Sequence, residues 1–119
     1  MSIRARPIPR HLLIHNAAHH YGVPTKDEWG NETYPDNRTL TNVRFEPSGK
    51  IVLDRGVSGA NTEIRLSAVM FYDVQNSRPQ DVTFHYGDNI VFGGQSYRVV
   101  SIDKLYDGAV LHHLEVGLV

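Results

Sequence analysis

Hydrophobic and polar residues alternate most regularly in the last third of the chain, residues 86–119. A short apolar run, residues 90–92, is followed by Gly93-Gly94, and a longer segment, residues 95–105, precedes an Asp-Gly pair. Such pairs are typical of tight hairpins, because glycine adopts positive φ without strain. The pattern therefore predicts an antiparallel meander of three strands.

The last two of these strands differ in the way their apolar residues are distributed over the two faces. The final strand, residues 110–119, alternates and places on one face Val110, His112, Leu114, Val116 and Leu118. In the return strand, Tyr97 and Val99 share one face, whereas Val100 and Ile102 share the other. Such a strand is either buried on both sides or carries a β-bulge, which bends the strand. The strands of a small barrel need bends of this kind to close.

Further strands are predicted upstream at residues 38–47, 51–53, 62–73 and 81–85. They follow one another at intervals of roughly 10–15 residues without a convincing amphipathic helix between them, which indicates an all-β barrel or sandwich. We therefore predict an all-β fold, a small antiparallel β-barrel with two long loops. Its buried core should include Leu66, Met70, Tyr97, Val99, Leu114 and Val116.

Residues 11–21 allow two interpretations. As a helix, the segment places His11, His15 and His19 on one face, as a possible metal-binding stripe. As a strand, it places the same histidines on one face and Leu12, Ile14 and Ala18 on the other. The segment is short, lacks a helix N-cap and precedes a turn-rich loop, so a strand is favoured and a helix remains the alternative.

Two polar, glycine-containing segments, residues 22–37 and 54–61, are too long for tight hairpins. Long loops in small domains are often functional, and a tryptophan in a polar loop is a candidate interface anchor. The alternative is that Trp29, the single tryptophan, folds back over the barrel end. The candidate interface residues of these two segments are Asp27, Trp29, Gly30, Asn31, Arg55, Gly56 and Gly59.

The chain is divided into a flexible tail, residues 1–10, and a single barrel domain, residues 11–119. Prolines in the tail disfavour a helix. Three arginines, Arg4, Arg6 and Arg10, precede the first acidic residue. They form a candidate basic arm for a neighbour or a polyanion, and the alternative is a frayed terminus.

Composition restricts the chemistry further. The 119-residue chain has no cysteine, a net charge of −1 and no apolar run long enough to span a membrane, so we expect a soluble cytoplasmic product without a secretory signal. Near-neutral charge argues against broad coating of nucleic acid. The seven histidines include two adjacent pairs, whose members face opposite sides of a strand. We therefore predict no metal site, no cofactor and no catalytic residue.

Several short motifs occur in a defined order along the chain. They are Asp27-x-Trp29-Gly30-Asn31, Asn42-Val43-Arg44, Phe71-Tyr72-Asp73, Gly87-Asp88, Gly94-x-x-Tyr97-x-Val99 and His112-His113-x-Glu115-Val116. In this order and spacing the chain, from about residue 11 to 119, resembles the minor capsid or head-completion proteins of tailed bacteriophages and of prophages of Gram-positive bacteria. Among these it is most similar to the small β-barrels that act as head–tail connector stoppers.

The resemblance implies a virion protein without catalytic residues. It implies a homo-oligomeric ring below the portal or its adaptor, which retains packaged DNA without sequence specificity and offers a docking face to tail proteins. The alternatives are a β-domain that binds a small ligand or carbohydrate, with Trp29 and the tyrosines as stacking platforms, a tail-completion protein, and a metal-dependent enzyme that uses the N-terminal histidines.

Overall fold

The computed structural model describes residues 6–54 and 62–119. In these two parts a short 3-10 helix precedes ten β-strands. The helix is Arg10–Leu12, and the strands are β1 (His15–Tyr21), β2 (Thr25–Lys26), β3 (Glu32–Thr33), β4 (Asp36–Pro47), β5 (Ile51–Leu53), β6 (Glu63–Arg65), β7 (Ala68–Asp73), β8 (Asn89–Phe92), β9 (Gln95–Asp107) and β10 (Val110–Leu118). The predicted all-β fold is confirmed.

Six of the strands form a closed antiparallel barrel in the order β1-β4-β7-β10-β9-β8, and pairing of β8 with β1 completes the ring. β2 pairs with β3 and β5 with β6 in two separate two-stranded sheets. Closure removes the free strand edges that otherwise recruit other chains through backbone hydrogen bonds. Contacts of the barrel with other proteins therefore depend on its side chains and loops.

The glycine turns of the C-terminal meander are as predicted. Gly93 and Gly94 join β8 to β9 with φ angles of 60° and 78°, and Gly108 joins β9 to β10 with a φ of 62°. Side-chain-bearing residues rarely adopt such angles, which explains the glycines at these positions.

The predicted face exchange in β9 is confirmed as a β-bulge. Val99 and Val100 are consecutive and both fully buried. The β9–β10 pairing shifts there, because Gly117 pairs with Ser101 while Leu118 pairs with Val99. The strands approach closely at this point, since a Cβ on Gly117 would lie 2.0 Å from the Ser101 hydroxyl oxygen.

Five of the six predicted core residues are buried, namely Leu66, Met70, Val99, Leu114 and Val116. The prediction for Tyr97 is wrong, because its ring is half-buried at the edge of the core. Its ring centroid lies 6.1 Å from that of Phe45, and its hydroxyl donates a hydrogen bond to Gln95. The polar end of tyrosine thus stays at the surface while the ring covers the core.

The strand predicted at residues 62–73 is divided in two. The amide of Leu66 donates to the carbonyl of Lys50, whereas the next amide, that of Ser67, donates to the carbonyl of Leu118. The chain therefore changes partners between consecutive residues, so β6 belongs to the small sheet and β7 to the barrel. Alternation continues through this change, which is why the sequence predicted one strand.

The short strand predicted at residues 81–85 is also wrong. Asp81 has a φ of 57°, and the segment that follows it has no strand pairing. Val82 and Phe84 are nevertheless buried, with 8% and 6% of their surface exposed. The apolar alternation correctly indicated two inward side chains, but they belong to an irregular segment that packs into the core.

Residues 15–21 form a strand, as favoured, and the preceding residues form the 3-10 turn. The face that carries His19 is the one that faces the core, because Ala17 and His19 are buried whereas Ile14 is 64% exposed. His19 tolerates burial because its Nε2 donates to the Asp88 carboxylate at 2.8 Å.

The face pattern predicted for β10 holds only in its second half. Leu114, Val116 and Leu118 are buried, but Val110 is half-exposed. The register shifts between Leu111 and His113, so Leu111 packs against the core in place of its neighbours.

Candidate assembly surface

The loop of residues 22–37 is an ordered projection rather than an irregular loop. Its strands β2 and β3 pair antiparallel, Thr25 with Thr33 and Lys26 with Glu32. We call residues 22–35 the tryptophan arm, because Trp29 occupies its tip. It leaves the barrel at the end of β1 and returns at the start of β4.

The tip of the tryptophan arm is organised by the carboxylate of Asp27. Its Oδ1 accepts the backbone amides of Trp29 at 2.9 Å and of Asn31 at 2.8 Å, and its Oδ2 accepts the Asn31 side-chain amide at 3.2 Å. Gly30 completes the turn with a φ of 83°. These bonds, above all the one from the Asn31 backbone, hold the pKa of Asp27 below its ordinary value. Four candidate contact residues thus form one turn.

The side chain of Trp29 lies in solvent. Its surface is 79% exposed, which is far more than a side chain packed over the barrel end would show. The alternative in which Trp29 covers the barrel is therefore wrong. Its role as an interface anchor stays a prediction.

The base of the tryptophan arm is fixed to the barrel. The Tyr34 hydroxyl donates to the Gly87 carbonyl at 2.9 Å, and burial raises the pKa of this phenol, with a smaller contribution from Glu32. Gly22 packs against Pro35, since a Cβ on Gly22 would lie 2.5 Å from that ring. The arm is thus anchored at its base and presents its tip outward.

The second predicted loop is described only at its base. Arg55, Gly56 and Gly59 lie outside the described residues. Asp54, which is 5% exposed, receives both terminal nitrogens of Arg98, at 3.2 and 3.0 Å, and its amide donates to the Thr62 carbonyl at 2.8 Å. A bidentate pair of this kind fixes geometry as well as charge.

Arg98 connects the two predicted loops. Besides binding Asp54, it lines a groove of about 570 Å³ that is also lined by residues at the base of the tryptophan arm. The groove is lined by Gly22, Val23, Pro24, Glu32, Tyr34, His85, Tyr86, Gly87, Asp88 and Arg98. Through Arg98, the start of the second predicted loop at Asp54 lies beside the base of the tryptophan arm.

A second groove was missed by the sequence analysis. We call it the end groove: it has a volume of about 380 Å³ and lies between the irregular segment after Asp81 and the β9–β10 hairpin. It is lined by Val82, Thr83, Phe84, His85, Tyr86, Ile102, Lys104, Leu111 and Leu114. The sequence feature that could have indicated this groove is the second apolar face of the return strand, because Ile102 lies on that face and Tyr97 on the other.

Comparison with known proteins complements this geometry. No curated protein sequence matches the chain. A family described as "Minor capsid protein" matches residues 9–118. The chain belongs to this family. It is thus a structural protein of a phage particle, and a capsid protein has its place in the virion.

The N-terminal part of this minor capsid protein makes specific contacts from residue 6 onward. The amide of Ile8 donates to Asp73 at 2.9 Å, and its carbonyl accepts the Asn76 side chain at 2.8 Å. His112 donates to the carbonyl of Arg6. The flexibility predicted for residues 1–10 stays a prediction. Arg4 lies outside the described residues, while Arg6 and Arg10 are exposed.

His112 and His113 of the minor capsid protein take part in hydrogen bonds with neighbouring residues. The Nδ1 atoms of His112 and His113 lie 2.7 Å apart, and His113 Nε2 donates to Glu115 at 2.9 Å. Within residues 6–54 and 62–119, no group of three or more His, Cys, Asp or Glu side chains is arranged to hold a metal ion. Over the same residues, no helix has the length and apolar character of a membrane span.

Proposed function

We propose that this minor capsid protein is a stopper-type component of the head–tail connector, in which its subunits form a ring below the portal or its adaptor. In this role the ring closes the filled head, retains the packaged DNA and provides the docking face for tail proteins. The protein is made in the host cytoplasm and becomes part of the virion during assembly. We assign it no catalytic activity.

The observation that carries the proposal is the exposed Trp29 on an arm that is fixed at its base and ordered at its tip. An isolated monomer gains nothing from holding an indole in water, because exposed tryptophan is unfavourable and aromatic residues are enriched where proteins meet. The family supplies the context, since a capsid protein functions in contact with other virion proteins.

The architecture suits a ring subunit. A ring needs two different surfaces on each subunit, one for the preceding and one for the following neighbour. The six barrel strands have no free edge, and the tryptophan arm and the two grooves are distinct side-chain surfaces of the described residues. Each can engage a different neighbour.

The charge of the chain suits a channel through which DNA moves. A net charge of −1 gives no basic coat that would grip the backbone, and non-specific affinity for DNA depends on Lys and Arg contacts with phosphates. The exposed Arg6 and Arg10 lie on the N-terminal segment, where a ring multiplies a small local charge. We expect weak, salt-sensitive contact with DNA and no sequence preference.

Localisation in the particle tests the proposal. Connectors detached from purified particles should contain the chain, and imaging should place it in a ring between portal and tail. Particles made without its gene should contain heads that lose DNA and do not bind tails, and a plasmid copy of the gene should restore them. The proposal would be rejected if the chain is recovered with the capsid shell and the connectors are complete without it.

Binding of a small ligand or carbohydrate has less support. A stacking platform requires its aromatic residues to converge on one groove. Trp29 lines neither of the two grooves described above, and the Tyr34 hydroxyl is engaged by the Gly87 carbonyl.

A further inference from the structure

We propose that Trp29 of one subunit inserts into the end groove of the neighbouring subunit, so that a second copy of this chain is the partner of that groove. This contact rests on the proposed ring and identifies the residues that hold it together. It joins two different surfaces of the molecule, the tip of the arm and the end of the barrel, and is therefore a heterologous contact that can repeat around a ring.

The end groove has the size and lining that an aromatic side chain requires. Its volume is about 380 Å³, and its walls are formed by buried or half-buried apolar residues such as Phe84, Ile102, Leu111 and Leu114. Anchor residues of interfaces occupy desolvated apolar pockets of this kind, and tryptophan is among the residues most enriched there. An exposed apolar groove and an exposed apolar side chain on one chain are thus complementary in size and polarity.

The tryptophan arm presents Trp29 in a preorganised form. The Asp27 carboxylate holds the backbone on both sides of the indole, at the Trp29 and Asn31 amides, and Tyr34 fixes the base of the arm to Gly87. Less conformational freedom is then lost on binding, which favours association. An indole can remove roughly 150–250 Å² of surface from water when it is buried.

Charge complementarity favours a second copy over an unrelated apolar partner. The tryptophan arm carries carboxylates at Asp27 and Glu28 near its tip and at Glu32 in β3, against the single cation Lys26. Among the described residues that line the end groove, Lys104 is cationic, His85 is titratable and none is a carboxylate. An acidic arm tip entering a groove with a lysine rim would bring opposite charges together, which steers association and sets its orientation.

Cysteine cross-linking tests the contact directly, because the natural chain has no cysteine. Glu28→Cys, next to Trp29, and Thr83→Cys, an exposed uncharged position at the groove that leaves Lys104 in place, are prepared as separate full-length proteins, mixed and treated with a short bis-maleimide. We expect a mixed dimer that increases with concentration and that disappears when Trp29→Ala is added to the first protein. The matched control pairs Glu28→Cys with Gln95→Cys, an exposed position beside the β8–β9 turn, and should give no dimer.

The outcomes separate this contact from the proposed function. The same cysteine pair is placed in one chain and cross-linked within particles, where a ladder of multimers is expected. A chain present in connectors that gives neither the mixed dimer nor the ladder overturns the contact while the ring proposal stands. A chain absent from connectors that still gives the mixed dimer rejects the ring proposal while the contact stands. A double-cysteine protein that cross-links only within one chain, at all concentrations, shows that the arm reaches its own groove and overturns the contact between subunits.

Discussion

At the scale of single residues, the chain combines predictable positions with positions that depend on distant partners. Gly93, Gly94 and Gly108 follow from local turn geometry and were predicted from sequence. The burial of His19 was not, because its partner Asp88 is 69 residues away and nothing in the local pattern reveals it. A polar residue on an inward face is interpretable only when its hydrogen-bond partner is known.

The Asp27 turn gives a pH prediction. The Asn31 and Trp29 amides lower the pKa of the Asp27 carboxyl group in the folded protein. The ionised carboxylate therefore stabilises the turn fully at pH values above its unfolded-state pKa. This stabilisation is lost as the pH falls through the lower folded-state pKa. The amide NMR signals of Trp29 and Asn31 should therefore titrate together, with a pKa below 3.8. They should not titrate in Asp27→Asn, and a midpoint at or above 3.8 would contradict the geometry.

The pair of His19 and Asp88 gives a stability prediction. His19→Leu removes the side-chain donor to Asp88, which is 4% exposed and retains the bond from the His85 amide, and a hydrogen bond to a charged group contributes about 1.5–3 kcal/mol. Urea unfolding followed by circular dichroism should measure a loss of this size. Ile14→Ala, at an exposed site beside the same strand, is the matched control and should change stability by less than about 0.5 kcal/mol. Equal losses in both variants would contradict the assignment of the inward face.

At the scale of elements, alternation predicts the existence of a strand better than its partner. The bulge in β9 was predictable because two consecutive apolar residues, Val99 and Val100, break the period of two. The division between β6 and β7 was not, because the alternation of inward residues continues across Leu66 and Ser67 while the hydrogen-bond partner changes. Partner choice is a tertiary property that no local window contains.

The C-terminal strand provides a test of packing at this scale. Leu114→Ala should lower the free energy of unfolding by about 2–5 kcal/mol, because Leu114 is 6% exposed and its truncation leaves a cavity between β7 and β9. Val110→Ala, in the same strand but 50% exposed, is the matched control and should have a small effect. Denaturant unfolding measures both, and a loss below about 1 kcal/mol for Leu114→Ala would mean that the site collapses after truncation.

At the scale of the whole molecule, the candidate surface was only partly visible in the sequence. Trp29 stood out as the single tryptophan in a polar segment, and the turn around it follows from the Asp-x-Trp-Gly-Asn motif. The two grooves were not predictable, because each needs residues from distant parts of the chain, such as Val82 and Leu111 at the end groove. The tryptophan arm could thus be recognised from the sequence, whereas the two grooves form only when the chain folds.

Because the tryptophan arm projects from the barrel, we predict that Trp29 contributes to assembly and not to folding. Because the Trp29 side chain lies in solvent and the core does not include it, Trp29→Ala should leave the melting temperature of the free protein nearly unchanged. The same change should strongly reduce incorporation into connectors, because truncation of an anchor costs about 2 kcal/mol or more of binding free energy. Ile14→Ala, a 64% exposed apolar residue that lines neither groove, is the matched control and should assemble normally.

Three measurements decide among the explanations for such an anchor: the melting curve of the free variant, its content in purified connectors, and the tryptophan fluorescence of the wild-type protein before and after assembly. Because Trp29 is the single tryptophan of this chain, the emission of the purified protein reports one site, and it should shift from that of a hydrated indole toward that of a buried one when the purified subunits assemble with one another. Unfolding of Trp29→Ala would give the side chain a role in the fold that its exposure contradicts. Normal assembly of Trp29→Ala together with unshifted wild-type emission would exclude the arm from the interface. An unchanged melting curve, lost incorporation and a shifted emission would together identify the arm as the part of the subunit that its neighbours bind.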